Sequence, residues 1–145
     1  MTQENLTRDD FRYWIDIEVR WSDMDNQGHV NNAVYFTYCE SARISLFHAI
    51  GRYVDRGTDE GPSLVSATCH FRRQVVFPAV LDVGVRVGDI GHRSFHMHYG
   101  LFDRSTGELV ASGSSVTVWT DYRAKRALPV PDDMRKELAR YRTVV

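Results

Sequence analysis

Polar and apolar residues alternate along residues 11–21. Phe11, Tyr13, Ile15, Ile17, Val19 and Trp21 fall on one side and Arg12, Asp16, Glu18 and Arg20 on the other, with Trp14 the exception. A period of two is the mark of a half-buried strand. Residues 22–32 are polar, include Gly28 and read as a loop. Asn31 or Asn32 then serves as a helix cap, because an Asn side-chain oxygen accepts from the free amides of a first turn. The helix predicted from this point runs over about residues 33–50 and stops at Gly51, a residue type favoured just past a helix end. Tyr35, Cys39, Ala42, Leu46 and Ala49 form its main stripe, with Phe36, Phe47 and Ile50 beside it. So wide an apolar arc predicts a helix enclosed on more than one side.

Residues 52–62 are glycine-containing and mixed in charge, and read as an exposed loop. Beyond them the helical period does not return until the C-terminal region. Residues 64–77 are rich in strand formers and end at Pro78. Leu81, Val83, Val85 and Val87 alternate with Asp82, Gly84, Arg86 and Gly88, and Phe95, Met97, Tyr99 and Leu101 alternate with His96, His98 and Gly100. A turn at residues 103–107 predicts a hairpin, followed by a last strand over about residues 109–120 and a short amphipathic helix over residues 131–140. The order is strand, one long helix, then four consecutive strands, which short turns would make antiparallel neighbours. One helix on one antiparallel sheet is an α+β fold. The 145 residues suit one domain, with its core at about 11–120 and a tail at 121–145.

Composition narrows the function classes. With 18 basic and 19 acidic residues the net charge is −1, so no clustered cationic excess points to a phosphate backbone. Two cysteines, Cys39 and Cys69, are too few for a disulfide framework and sit in apolar runs, as reduced buried thiols do. Residues 1–10 are polar without a basic-then-apolar signal pattern, and no apolar run approaches the ~20 residues of a membrane span. These features lead us to expect a soluble cytoplasmic protein.

The densest polar cluster runs from Arg20 through Trp21, Ser22, Asp23, Met24, Asp25, Asn26, Gln27, Gly28, His29 and Val30 to Asn31 and Asn32. A carboxylate and an imidazole just ahead of a helix N-terminus make a usable site, since free first-turn amides and the positive dipole end favour developing negative charge. On residue types alone a plain capping loop explains the same residues. The run from Arg20 to Asp25, then Gly28 to Asn32, Tyr35 and Glu40 to Arg43, resembles the signature of hotdog-fold thioesterases. The 4-hydroxybenzoyl-CoA thioesterase-like and acyl-ACP thioesterase-like branches are the most similar. The resemblance implies one long helix wrapped by a five-stranded antiparallel sheet, with Asp25 as the catalytic aspartate. His29 matches a histidine of the plant-type acyl-ACP enzymes, which carry Asn two residues earlier where this chain has Gln27. The hydroxybenzoyl-type enzymes use the aspartate with a helix amide, which by offset belongs to Asn32.

Thioester chemistry needs little more. The leaving thiol has a pKa near ~8.5 and departs without a strong acid, whereas an Asp at ~3.9 is ionised at neutral pH. Asp25 then acts either as general base or as nucleophile, with amides at Val30, Asn31 and Asn32 on the carbonyl oxygen. Tyr35 falls in the same signature. Arg72 and Arg73, with Arg123, Lys125 and Arg126, are candidates for the phosphates of coenzyme A. Small-residue stretches at 63–68 and 111–115 either pack on the helix or line an acyl tunnel.

Other candidates carry less. Glu40 is expected to pair with Arg43 at i,i+3, although some hotdog relatives place a catalytic glutamate on this helix. His96 and His98 share a strand face, but two histidines need a third ligand to hold a metal, and none is expected. Cys39, buried in mid-helix, is a poor nucleophile. No G-x-S-x-G, Walker or G-x-G-x-x-G pattern occurs. The resemblance therefore implies an acyl-CoA thioesterase working without a cofactor, and one sheet on one helix leaves an edge and a face that a homodimer or homotetramer would cover. The alternatives are an acyl-ACP thioesterase and a non-catalytic module that binds acyl-CoA or acyl carrier protein.

Overall fold

The computed structural model describes residues 6–53 and 57–142. Its alternating segments form strands β1 (Tyr13–Glu18), β2 (Glu60–Phe71), β3 (Val80–Ile90), β4 (Ser94–Asp103), β5 (Leu109–Asp121) and the two-residue β6 (Arg126–Ala127). The helices are α1 (Asn32–Ala49) and α2 (Asp132–Ala139). Leu81, Val83, Val85 and Val87 of β3, and Phe95, Met97, Tyr99 and Leu101 of β4, are all buried, as period-two alternation requires of one sheet face. They meet Tyr35, Tyr38, Cys39, Ala42, Leu46 and Phe47 of α1. The five long strands are antiparallel and enclose α1 on one side, the architecture that the motif resemblance implied, with β6 added at the end of β5.

Strand order departs from simple chain order. It runs β1-β3-β4-β5-β2, so β2 pairs with β5 across the sheet and not with β3, which follows it. The tight connections after β3 and β4 hold those strands and β5 as consecutive hairpins. Residues 72–79 form a longer link that carries the chain from one edge inward, and β1 takes the free side of β3. β2 also starts earlier and ends earlier than residues 64–77. Glu60, Gly61 and Pro62 pair with Asp121, Thr120 and Trp119, a long-range partner that local propensity does not reveal. At its other end the amides of Arg72 and Arg73 both donate to the Val110 carbonyl (2.9 and 3.1 Å), which ends the regular ladder. The loop predicted at 52–62 thus gives its last residues to β2, and its residues 54–56 lie outside the described set.

The first strand is shorter than expected, because residues 19–23 leave the sheet through a 3-10 turn at Trp21–Asp23. Phe11 crosses the outer face of the sheet. A Cβ on Gly84 or Gly100 would come within 2.8 or 2.5 Å of the Phe11 side chain, so this approach requires glycine. The arc of α1 is also turned from the expected stripe. Tyr38 and Arg43 are buried, whereas Ala49, Phe36 and Glu40 are exposed. One side of the helix is therefore uncovered in a single chain. Beyond β5, Val130 and the α2 residues Met134 and Leu138 pack into the same core.

Candidate active site

The loop between β1 and α1 is a miniature hairpin. The Asp25 amide donates to the His29 carbonyl (2.9 Å), and the Gly28 amide donates to the Asp25 carbonyl (3.0 Å). Gly28 has φ +82°, a left-handed conformation that glycine takes at little cost. Met24 and Val30 bridge the base of the hairpin. The Gln27 backbone amide donates to Asp25 Oδ1 at 2.9 Å, which engages one oxygen of the carboxylate.

Helix α1 begins where this hairpin ends. Asn31 is the cap, its side-chain oxygen accepting from the Ala33 amide at 2.9 Å, and its carbonyl accepts from Val34. The expectation that amides at Val30, Asn31 and Asn32 all face a substrate is corrected here. The Val30 amide donates to the Val75 carbonyl (2.8 Å) and the Asn31 amide to the Asp23 carbonyl (2.9 Å). Both lie where long-range backbone acceptors claim them. Among the described residues, the Asn32 amide is the N–H of this turn left without a partner, at the positive end of an 18-residue helix.

A cavity of about 440 Å³ opens over this turn. Asp25, Gln27, His29, Val30, Asn31, Asn32, Tyr35, Arg72 and Arg73 all line it, joined by Phe71 and Gln74. Its floor is aromatic: Tyr35 is buried edge-to-face against Phe71 (5.2 Å) and Tyr38 (6.0 Å), and burial pushes its hydroxyl up to about 12. Tyr35 therefore stays neutral. Arg73 pairs with Glu108 at 2.9 Å, whereas Arg72 has no ion pair among the described residues. Arg123 is tied to Asp59 and, with Lys125 and Arg126, follows β5 outside this cavity. No hydrogen bond joins the Asp25 carboxylate to the His29 imidazole among the described residues; their link is the backbone one.

The residue that sequence reasoning passed over is Asp23. It is 2% exposed and accepts from the Tyr38 hydroxyl (2.7 Å), the Arg20 amide (3.0 Å) and the Arg20 guanidinium (2.8 Å). Burial works to raise this carboxyl, but Tyr38 and Arg20 together hold it below the usual value. It pins the loop to α1 and, through its carbonyl, positions Asn31. The Arg20-to-Asp23 spacing of three was the available signal.

Farther along α1 the expected Glu40–Arg43 pair is absent among the described residues. Arg43 is buried and donates instead to the Tyr99 hydroxyl at 3.1 Å, while Glu40 stays exposed at the edge of the same cavity. A second cavity of about 120 Å³ lies here. Ala67, Thr68, Ser114 and Ser115, from the two small-residue stretches, line it with Cys39 and Cys69. The Cys69 contact and burial push the Cys39 thiol up, which disfavours it as a nucleophile. His96 is exposed and His98 half-buried on β4. Burial, then Arg86 and His96, lower His98 to about 4 against a weaker pull from Asp89. Among the described residues no group of three His, Cys, Asp or Glu is placed to hold a metal ion, and no helix is long and apolar enough to cross a membrane.

Comparison with known proteins places this geometry among relatives. Residues 19–138 match the model of the thioesterase-like superfamily. A Pseudomonas aeruginosa structure given as a candidate thioesterase is 34% identical, covering 86% of this chain and 95% of its own, with a TM-score of 0.81. The chloroplastic acyl-acyl carrier protein thioesterase ATL3 of Arabidopsis thaliana is 23% identical over 88% of this chain and 67% of its own length. A 1,4-dihydroxy-2-naphthoyl-CoA thioesterase from Synechocystis shares the fold at 17% identity and a TM-score of 0.80, over 88% of this chain and 95% of that one.

Proposed function

The chain belongs to the thioesterase-like superfamily, matched over residues 19–138, and from a thioester hydrolase of that family we propose an acyl-CoA thioesterase whose reaction centre is Asp25 facing the Asn32 amide. The observation that carries this reading is the pairing, across one cavity, of an exposed carboxylate with the uncommitted amide at a helix N-terminus. The thioester carbonyl oxygen takes the Asn32 amide, where the helix dipole favours the negative charge that forms. Asp25 Oδ2 either takes a proton from water as that water adds to the carbonyl carbon, or adds to the carbon itself. Collapse of the adduct breaks the carbon–sulfur bond and releases a thiolate, which at a thiol pKa of ~8.5 needs no strong acid. Direct attack leaves an anhydride that water then opens.

The other residues take supporting roles in this scheme. The Gln27 amide orients Asp25. His29, beside Asp25 at the cavity rim, orders the water. Val30, Asn31 and Tyr35 shape the floor under the acyl carbon, and Arg72, without an ion pair among the described residues, meets the coenzyme A phosphates with Arg73 beside it. The two reduced cysteines suit a cytoplasmic enzyme. The exposed apolar residues Phe36, Leu64, Val65, Phe71 and Val76 suit a homodimer or a dimer of dimers.

The test is thiol release from a panel of aliphatic and aromatic acyl-CoAs, run beside Asp25→Asn. Turnover is expected in the wild type and a loss of about 10²–10⁴ in kcat/KM in the variant, with the melting transition kept. Wild-type rates in Asp25→Asn would remove Asp25 from the reaction. A second reading, hydrolysis of acyl-ACP, is favoured by the likeness to the Arabidopsis enzyme. Faster release from carrier-bound than from CoA-bound acyl groups would select it.

A further inference from the structure

Among the described residues no carboxylate pairs with the guanidinium of Arg43, a buried residue of α1 that opens onto a cavity. The residue is 7% exposed, and its one polar partner among the described residues is the Tyr99 hydroxyl, 3.1 Å from Nη1. That hydroxyl in turn shares a 2.7 Å hydrogen bond with Ser115 Oγ. A guanidinium has five N–H donors, and a buried charge is ordinarily matched by an opposite one or by several acceptors. Arg43, Tyr99 and Ser115 all line the cavity of about 120 Å³ between α1, β2 and β5. The rest of its wall is mostly apolar or small, from Phe36, Cys39, Leu64, Ala67 and Cys69. An apolar slot with a cationic, hydroxyl-lined end matches a ligand that is apolar along its length and carries oxygen at its tip.

The place of this slot in the fold relates it to the reaction centre. Asn32, Phe36, Cys39 and Arg43 succeed one another at helical spacing along one side of α1. On β2, Phe71 borders the Asp25 cavity, and Cys69, Thr68 and Ala67 border the slot. Eleven residues at about 1.5 Å rise separate Asn32 from Arg43 by roughly 16 Å along the axis, and the arginine side chain leans back toward the helix N-terminus. The interval suits a medium-length acyl chain.

We propose that the α1–β2 slot receives the far end of the acyl group and selects acyl groups that bear an oxygen acceptor there, a carboxylate or a hydroxyl, held by Arg43 and Tyr99. The proposal rests on the acyl-CoA reading of the Asp25 cavity and adds the substrate class to it. Glu40 lines the exposed side of the same slot and discriminates between the two oxygens. It repels an entering carboxylate and accepts from a hydroxyl.

The test compares octanoyl-CoA, ω-hydroxyoctanoyl-CoA and octanedioyl-CoA as substrates of the wild type, and their dissociation constants on Asp25→Asn protein, which needs no turnover. At least one oxygenated thioester is expected to be used and bound about 10- to 100-fold better than octanoyl-CoA, the range of one hydrogen bond to a charged group. Of the two, ω-hydroxyoctanoyl-CoA is expected to win, and a win for octanedioyl-CoA would overturn the role given to Glu40. Arg43→Met is expected to erase the preference, read as the ratio of kcat/KM, and of dissociation constants, between the oxygenated thioester and octanoyl-CoA. Tyr99→Phe keeps the ring, and is expected to reduce the preference in protein whose cooperative melting transition shows it folded, even where Arg43→Met fails to fold. Equal treatment of the three thioesters by the wild type, or a preference that survives in folded Arg43→Met and Tyr99→Phe, overturns the proposal. If octanoyl-CoA is hydrolysed without any preference, this inference falls and the thioesterase reading stands. If nothing is hydrolysed but an oxygenated thioester still binds more tightly in an Arg43-dependent way, the thioesterase reading falls and the slot stands.

Discussion

Asp23 and Asp25 are two residues apart and have opposite environments. Asp23 is enclosed by donors from Arg20 and Tyr38, whereas Asp25 is exposed and its carboxylate takes one bond among the described residues, from the Gln27 amide. A carboxylate saturated with donors is structural, and one with an open oxygen can do chemistry. Replacing Asp23 with Asn is expected to cost about 1.5–3 kcal/mol in urea denaturation, the range for hydrogen bonds to a charged group, and to lower turnover by loosening Asn31. Its pH dependence has a definite sign. Asp23 titrates below the ordinary 3.8 in the folded chain, so its contribution is complete above that value and is lost as pH falls through the lower folded one. The stability gap between wild type and Asp23→Asn should accordingly narrow in acid. A gap that widens would contradict the assignment. The motif around Asp25 could be read because it is contiguous, but the enclosure of Asp23 could not. It depends on Tyr38, fifteen positions away, in a helix whose rotation the sequence left open. The same holds for the amides of Val30 and Asn31, whose acceptors, Val75 and Asp23, become neighbours only on folding.

Among the elements, α1 was read almost to the residue, since its start and stop are local chemistry. Asn31 caps it, and Gly51, with φ +83°, ends it. Substituting Asn31 with Ala is expected to cost about 1 kcal/mol, the usual worth of such a cap. The Asn32 amide stays in place, so thiol release should fall far less than in Asp25→Asn. A collapse of activity equal to that of Asp25→Asn would mean that the Asn31 side chain itself touches substrate. The strands divide along the same line. β3 and β4 were legible because each alternates on its own, and β5 because the turn at 103–107 ties it to β4. β2 was misplaced at both ends and in its partner, because Gly61 and Pro62 are poor strand formers that become strand only by pairing with Thr120 and Trp119. Short-range pattern names an element, but a remote edge decides how far it extends.

For the whole molecule the unresolved physical demand is surface. β2 pairs only with β5 and so forms an edge of the sheet. Leu64 and Val65 on it are 49% and 60% exposed, and Phe36 of α1 is 40% exposed. An apolar edge strand beside an uncovered helix face is a pairing surface, and a net charge of −1 offers little repulsion to a second copy. Sedimentation of the wild type is therefore expected to give a multiple of 16.7 kDa. Val65→Lys puts a charge on that edge and should shift the protein toward the single-chain mass. If the second copy covers the open side of α1, thiol release should fall in parallel, since both cavities border that helix and β2. A monomer with full activity would show instead that each chain carries a complete site and that the exposed apolar residues serve something other than assembly.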